Sequence, residues 1–229
     1  MYKRIYIDPW GYRSSVRWNI AVLVDTDAEV PLISRGVMIK RAEFALLSML
    51  VMLGWPGLGW NAETPIIDND QVKVWETAAE LPPAAHDFVV VPLAQSGTAR
   101  FGHQGETPGA AGSQRVVIEL KDHGLSAIPN NTGFPNAFPR PRIVKLFEND
   151  RIVVWTYRWN PGEPTPMHFH DKNVVVVYEE DTALTSTTPD GKVVENDYKS
   201  GDVRFNLGNR IHSELLVRGT GSAVMMELK

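Results

Sequence analysis

From Ile66 to Lys229 the apolar residues fall in short runs rich in Val, Ile, Trp and Tyr, separated by clusters of Gly, Pro, Asn and Asp. Runs of this kind mark strands, and no 3.6-residue period is sustained over this stretch. Many short strands at regular spacing predict an all-β sandwich or barrel. Upstream the pattern changes. Residues 1–37 sustain neither period. Met38-Ile-Lys40-Arg41 then leads into an apolar stretch over residues 44–60, and Asn61, Ala62, Glu63, Thr64 and Pro65 return the chain to polar composition. A basic head, a modest apolar run and small or polar residues after it describe a secretory signal peptide. Gly54, Pro56 and Gly57 interrupt the run, which falls short of the roughly 20 residues that span a bilayer. The expectation is a natural start at Met38, residues 1–37 as an upstream extension, and residues 38–62 as a signal. The mature protein would then be periplasmic or secreted, without a stable membrane span. A start at Met1 would make it cytoplasmic. Trp60 fits a cleavage site poorly, and the same residues also suit an uncleaved anchor or a core helix over residues 44–53.

The β-rich part repeats itself. Asp68-Asn-Asp-Gln-Val-Lys-Val-Trp75 resembles Glu148-Asn-Asp-Arg-Ile-Val-Val-Trp155, an acidic-Asn-Asp turn followed by a strand ending in Trp. Val89-Val-Val-Pro-Leu93 parallels Val174-Val-Val-Val-Tyr178, and Arg115-Val-Val-Ile-Glu119 parallels Gly191-Lys-Val-Val-Glu195, in the same order. A repeat of this length is one structural unit met twice. It divides the chain into residues 63–141 and 142–229, joined through a loop that carries Pro135, Pro139 and Pro141. Trp75, Trp155 and Tyr157 fall on strands and are expected in the core. Glu179, Glu180 and Asp181 read as a solvated turn.

Composition narrows the chemistry. The 229 residues include 43% hydrophobic and 22% charged, enough apolar surface for a core. A net charge of −4, with no basic cluster, argues against nucleic acid as a partner. With no cysteine in the chain, thiol chemistry, zinc–thiolate sites and iron–sulfur clusters are excluded, and any metal must be held by nitrogen and oxygen.

Two segments carry candidate chemistry. In Asn160-Pro-Gly-Glu-Pro-Thr-Pro-Met-His168-Phe-His170, the Gly and Pro residues deliver the chain into a strand, on which His168 and His170 share one face. In Gly201-Asp202-Val-Arg-Phe-Asn206-Leu-Gly208-Asn209-Arg-Ile-His212, a hairpin turn at Gly208-Asn209 is expected to bring His212 against the first pair. Glu214 has the strand parity of His212, a position from which it could supply a carboxylate ligand or a general base. Three imidazoles suit Zn²⁺, Fe²⁺, Cu²⁺ or Ni²⁺ better than Mg²⁺ or Ca²⁺.

These segments resemble the two motifs of the cupin superfamily: a Gly, five residues and His-x-His in the first, and the Gly-to-His spacing of the second. With the repeat, the chain resembles a two-barrel cupin, or bicupin. The resemblance implies two tandem antiparallel jelly-roll-like barrels and three metal ligands at His168, His170 and His212 in the second barrel alone. It also implies a divalent transition metal (Fe, Zn, Mn, Ni or Cu), a small-molecule ligand, dioxygenase- or isomerase-like chemistry and a homodimer. A non-catalytic binding protein or a structural bicupin are the other readings. The sequence departs from the family at the usual glutamate ligand, where Val174 and Val175 stand. It departs also at Leu207, for a proline, and at Asn209, for a glycine. In the first repeat, Pro82 and Ala84 (or His86 under another alignment) and Phe134 take the ligand positions, so fewer than three ligands remain there. His86 reads as a rim or packing residue, and His103 and His123 as loop residues.

Overall fold

Asn69 and Asn149 build the same turn twice. The Asn69 carboxamide oxygen accepts from the backbone N–H groups of Gln71 and Val72, both at 2.9 Å. Asn149 accepts from Arg151 at 2.9 Å and Ile152 at 3.0 Å. An Asx side chain that takes up the donors of the next residues pins the reversal from which each following strand starts. The computed structural model describes residues 63–121 and 124–229. The extension over residues 1–37, the signal-like segment 38–62 and His123 lie outside the described residues.

The described chain is all-β and antiparallel. The first repeat contains β1 (Ile67–Asp68), β2 (Val72–Thr77), β3 (Phe88–Pro92), β4 (Arg100–Gly102) and β5 (Arg115–Leu120). The second contains β6 (Val144–Glu148), β7 (Ile152–Arg158), β8 (His168–His170), β9 (Val174–Tyr178), β10 (Thr182–Thr187), β11 (Val193–Tyr198), β12 (Val203–Asn206), β13 (Arg210–Gly219) and β14 (Ser222–Leu228). Three sheets result, in the orders β1-β2-β5-β3-β4, β6-β7-β14-β9-β12 and β11-β10-β13-β8. Among the described residues no helix is long and apolar enough to cross a membrane.

The first two orders correspond strand for strand. β2 takes the place of β7, β3 that of β9, and β5 the central place of β14. The first two sequence parallels therefore describe equivalent strands. The third does not: Arg115–Glu119 lies between β2 and β3, whereas Val193–Glu195 lies on β11, at the edge of the other sheet. Both are short β-branched runs after a Gly-rich turn, and local pattern cannot separate a central strand from an edge. The first repeat contributes one five-stranded sheet, with no counterpart of β8, β10, β11 and β13 among the described residues.

That sheet takes its cover from the second repeat. Val72, Val74, Val89, Val91, Val116 and Ile118 pack against Ile152, Val154, Val175, Val177, Val224 and Met226. The strand period of two then sends Trp155, Tyr157, Val174, Val176, Tyr178 and Met225 to the opposite face, where with Leu184 and Leu216 they fill the interior between the two sheets of the second repeat. Each fully buried Val or Met contributes about 1.5–3 kcal/mol, so the sheet-to-sheet layer is a major part of the fold's stability. Trp75 lies on the far face of the first sheet, half-buried against Leu81, Ala84 and Phe88.

Polar groups stitch the layer. Glu179 is buried, and its carboxylate accepts from the Gly97 backbone N–H at 2.6 Å and the Ser96 hydroxyl at 3.0 Å. Of the solvated turn expected over residues 179–181, Asp181 is exposed and Glu180 half-buried, but Glu179 is not solvated: the loop after β3 closes over it and supplies its hydrogen bonds. Arg151 reaches across to the carbonyls of Leu120 and Lys121, at 2.9 and 2.6 Å.

Two connections shape the site. Gly208-Asn209 is not a hairpin turn. β12 pairs with β9 in one sheet, while β13 pairs with β8 and β10 in the other, so the connection turns a corner between sheets. Asn209 adopts a φ of 60°, a left-handed conformation that Asn tolerates and that suits a glycine position. The proline-rich loop between the repeats does not stay outside either. It runs parallel to β8, with a bridge from Asn136 to Phe169. The Ala137 N–H donates to the Phe169 carbonyl at 2.7 Å, and the Phe169 N–H to the Pro135 carbonyl at 2.8 Å.

Candidate metal centre

β8 brings His168 and His170 to one wall of the second repeat, and β13 brings His212. The register sets His168 opposite His212 and His170 opposite Arg210. Residues directly opposite in an antiparallel pair share a face, so the three imidazoles and Arg210 point the same way. All three histidines are buried, His168 at 2%, His212 at 6% and His170 at 9% exposure. Their ring centroids lie 4.8–5.0 Å apart. One ligand nitrogen from each lies within 4.8 Å of the other two, so the group could hold a metal ion.

The donor set fits such an ion. Nε2 of His170 and Nε2 of His212 are 3.1 Å apart. With metal–nitrogen bonds of about 2.1 Å, neighbouring ligand nitrogens lie roughly 3.0 Å apart in octahedral and roughly 3.4 Å apart in tetrahedral geometry. Nδ1 of His168 is 2.7 Å from the Pro166 carbonyl, which accepts its proton and leaves Nε2 with a lone pair. Nδ1 of His212 is 3.0 Å from the Ser186 hydroxyl. Such outward bonds orient ligand imidazoles. His170 Nδ1 is buried with no partner among the described residues.

Burial lowers the pKa of all three histidines. His168 is lowered by burial and then by the nearby Arg140 charge. His170 is held well below its ordinary value by burial and by the other two histidines. His212 falls to about 3 by burial, against the opposing pull of Glu214. The imidazoles are therefore neutral near pH 7, the form that coordinates metal. Burial alone would raise Glu214, but His212, Arg140 and His168, with the Trp159 hydrogen bond, outweigh it and hold the carboxyl below its ordinary range. Glu214 accepts from Trp159 Nε1 at 3.2 Å and Arg140 Nη2 at 3.5 Å. It lies beside the histidines but outside the group whose atoms converge.

A cavity of about 50 Å³ adjoins the triad, walled by Tyr178, Tyr198, Ser186, Asn206 and Arg210 together with His212 and Glu214. By the measure in which one water takes roughly 10–15 Å³, it has room for about four. Tyr178 and Tyr198 stack on each other at 3.7 Å in its wall. Val174, where a fourth, carboxylate ligand was sought, is buried in the apolar interior; Val175 belongs to the layer between the sheets.

Sequence reasoning missed several members of the site. Arg140 comes from the inter-repeat loop and places Nη1 3.2 Å from His168 Nε2. Its signal was Pro139-Arg140-Pro141, a residue held rigidly between two prolines. Arg210 has the parity of His212 and could have been read from it. Ser186 and Trp159 left no local signal. In the first repeat nothing comparable forms among the described residues. His86 is half-exposed, 3.6 Å from Glu119, and His103 is exposed beside Asp87 at 3.7 Å.

No family model and no curated protein matches the chain. Among solved structures the chain is similar to a cupin domain from Bordetella pertussis Tohama I, 26% identical over 42% of this chain and 96% of that one, with a TM-score of 0.36. It is similar to a cupin 2 conserved barrel domain protein from Leptotrichia buccalis, 13% identical over 72% of this chain and 87% of that one, with a TM-score of 0.38. It is also similar to a polyketide cyclase from Streptomyces resistomycificus, 18% identical over 47% and 78%, with a TM-score of 0.32.

Proposed function

We propose that the second repeat is a cupin metal centre, in which His168, His170 and His212 hold one divalent transition metal ion beside a cavity for a small molecule. The observation that carries this reading is the convergence of three buried, neutral imidazoles, two of them with Nε2 atoms 3.1 Å apart. A bound ion of this kind supplies Lewis acidity or activates water or O₂. The chain's own groups divide the remaining work. The Pro166 carbonyl and the Ser186 hydroxyl orient His168 and His212. Glu214, ionised and lining the cavity, is placed to accept a hydrogen bond from a ligand held there, while its lowered pKa makes it a weak base. Tyr178, Leu184 and Tyr198 supply the apolar part of the cavity wall. Dioxygenase- or isomerase-like conversion of a small molecule is the reaction class in this reading. A non-catalytic binding protein is the second reading, favoured by one observation: apolar Val174 occupies the interior where a carboxylate ligand was sought.

In the same reading the first sheet is one wall of a degenerate first barrel, the protein is a homodimer, and maturation after residue 62 would place it in the periplasm or outside the cell. Light scattering tests the dimer, and N-terminal sequencing of protein from its native host tests the maturation. Elemental analysis tests the centre. About one transition metal ion per chain is expected in the wild-type protein, and none in a variant with His168→Ala and His170→Ala. Iron would direct the search to O₂ chemistry, zinc to hydrolysis or isomerisation. No metal in the wild type, even after reconstitution, overturns the metal reading.

A further inference from the structure

Arg140 is out of keeping with an apolar interior. Its side chain is 5% exposed, yet a guanidinium carries five N–H donors and cannot shed its charge. Its partners are few and weak. Nη1 addresses His168 Nε2 at 3.2 Å, Nη2 reaches Glu214 at a long 3.5 Å and the Met225 sulfur at 3.7 Å, and Nε has no partner among the described residues. The plane is nevertheless held in place, with its carbon 4.2 Å from the Tyr157 ring centre and 5.6 Å from that of Phe138. Burying a charge costs several kcal/mol unless it is well hydrogen-bonded, so a fixed, under-partnered guanidinium aimed at three histidines calls for an anionic acceptor.

The surrounding charges agree. Arg210 faces the triad from the other side, with Nη2 3.5 Å from His212 Nδ1 and Nη1 on Asn206 at 2.7 Å. Among the described residues, Glu214 is the one carboxylate hydrogen-bonded to either guanidinium. An excess of one positive charge results, and a divalent ion would raise it to three. A metal on His168 would also take the lone pair that Arg140 Nη1 now uses and would free another donor.

We propose that the site is selective for small carboxylate ligands and that Arg140 recognises their negative group. The inference rests on the proposed metal centre, which Arg140 adjoins at His168, and names the ligand class of that centre. A carboxylate accepts two parallel N–H bonds from a guanidinium, which a neutral isostere cannot match. Acetate and acetamide differ in this respect at nearly equal size.

The test uses the full chain, metal-free and loaded with Co²⁺. Thermal midpoints and, for the cobalt form, visible spectra are followed during titration with sodium acetate or acetamide at constant ionic strength. Acetate is expected to raise the midpoint and perturb the cobalt bands, with acetamide at least about tenfold weaker. Arg140→Gln is expected still to bind one Co²⁺ per chain and to bind acetate about tenfold more weakly. Arg140→Lys keeps the charge without the fork and is expected to lose a similar factor; it carries the test if Arg140→Gln does not fold. Equal responses to acetate and acetamide, or wild-type acetate affinity in the folded variants, overturn the inference. Failure of the wild type to take up Co²⁺ overturns the metal reading instead. Acetate selectivity then stands or falls on the metal-free titration, where loss of the response in the Arg140 variants is still expected.

Discussion

Val174 is 1% exposed and faces the same interior as Trp155 and Tyr178. Its side chain is therefore the natural place to ask what a carboxylate would do. In the metal-free protein Val174→Glu buries an unpaired polar group and is expected to cost about 2–4 kcal/mol. With Zn²⁺ loaded, the new charge gains a counter-charge and most of that loss should disappear. Denaturant midpoints of both proteins, with and without Zn²⁺, measure the difference. An equal loss in the two states would mean that position 174 does not face the centre. Titration is decided at the same scale. The folded pKa values of His168, His170 and His212 lie below the ordinary value of 6.5, the last at about 3. The unfolded chain therefore binds more protons between about pH 6.5 and 3. The stability that the neutral histidines allow is fully present above pH 6.5 and is lost as pH falls towards 3. Metal-free protein should show this slope in denaturation midpoints measured from pH 7 to 4, and a variant with His168 and His212 replaced by Gln should show less of it.

At the scale of elements, the two Asn turns make a matched pair. Asn69→Ala and Asn149→Ala each remove an acceptor for two backbone N–H groups, so each is expected to cost about 1–2 kcal/mol. Chemical denaturation would register it, and a negligible effect at either position would mean that its strand start is fixed by packing instead. These turns, the strand runs and the shared face of His168 and His170 were legible because their causes are local: an Asx side chain acts within three residues, and strand parity is a period of two. What was not legible depends on partners distant in the chain. Gly208-Asn209 has the composition of a hairpin, yet β12 pairs with β9 and not with β13, which only the packed sheets decide. Arg115–Glu119 and Val193–Glu195 look alike as runs but occupy a centre and an edge. Glu179 reads as solvated until the loop carrying Ser96 and Gly97 closes on it. Arg140 enters the site because its loop pairs with β8, a contact with no trace in the residues around it except two prolines.

For the whole molecule, the first sheet covers a face of the second repeat that is almost wholly apolar. A chain beginning at Arg142 would expose Ile152, Val154, Val175, Val177, Val224 and Met226 together. A contiguous apolar face of this kind drives association. The truncated chain is expected to aggregate or to expand, with increased binding of a hydrophobic dye, whereas a chain beginning at Glu63 should remain monodisperse. Monodisperse, metal-binding protein from the shorter chain would show that the cover is dispensable.

The loop alongside β8 has a bearing on how such a chain can be taken apart. It is at once the covalent joint between the repeats and a neighbour of the histidine triad, since Phe138, edge-on to His170, and Arg140, beside His168, lie on it. The place where the repeat pattern invites a cut falls just beyond those two residues. A recombinant graft or a natural exchange of the histidine-bearing half would leave behind the guanidinium that addresses His168, unless it carried about a dozen residues of the preceding loop as well. The smallest transferable piece of this protein is therefore larger than its repeat.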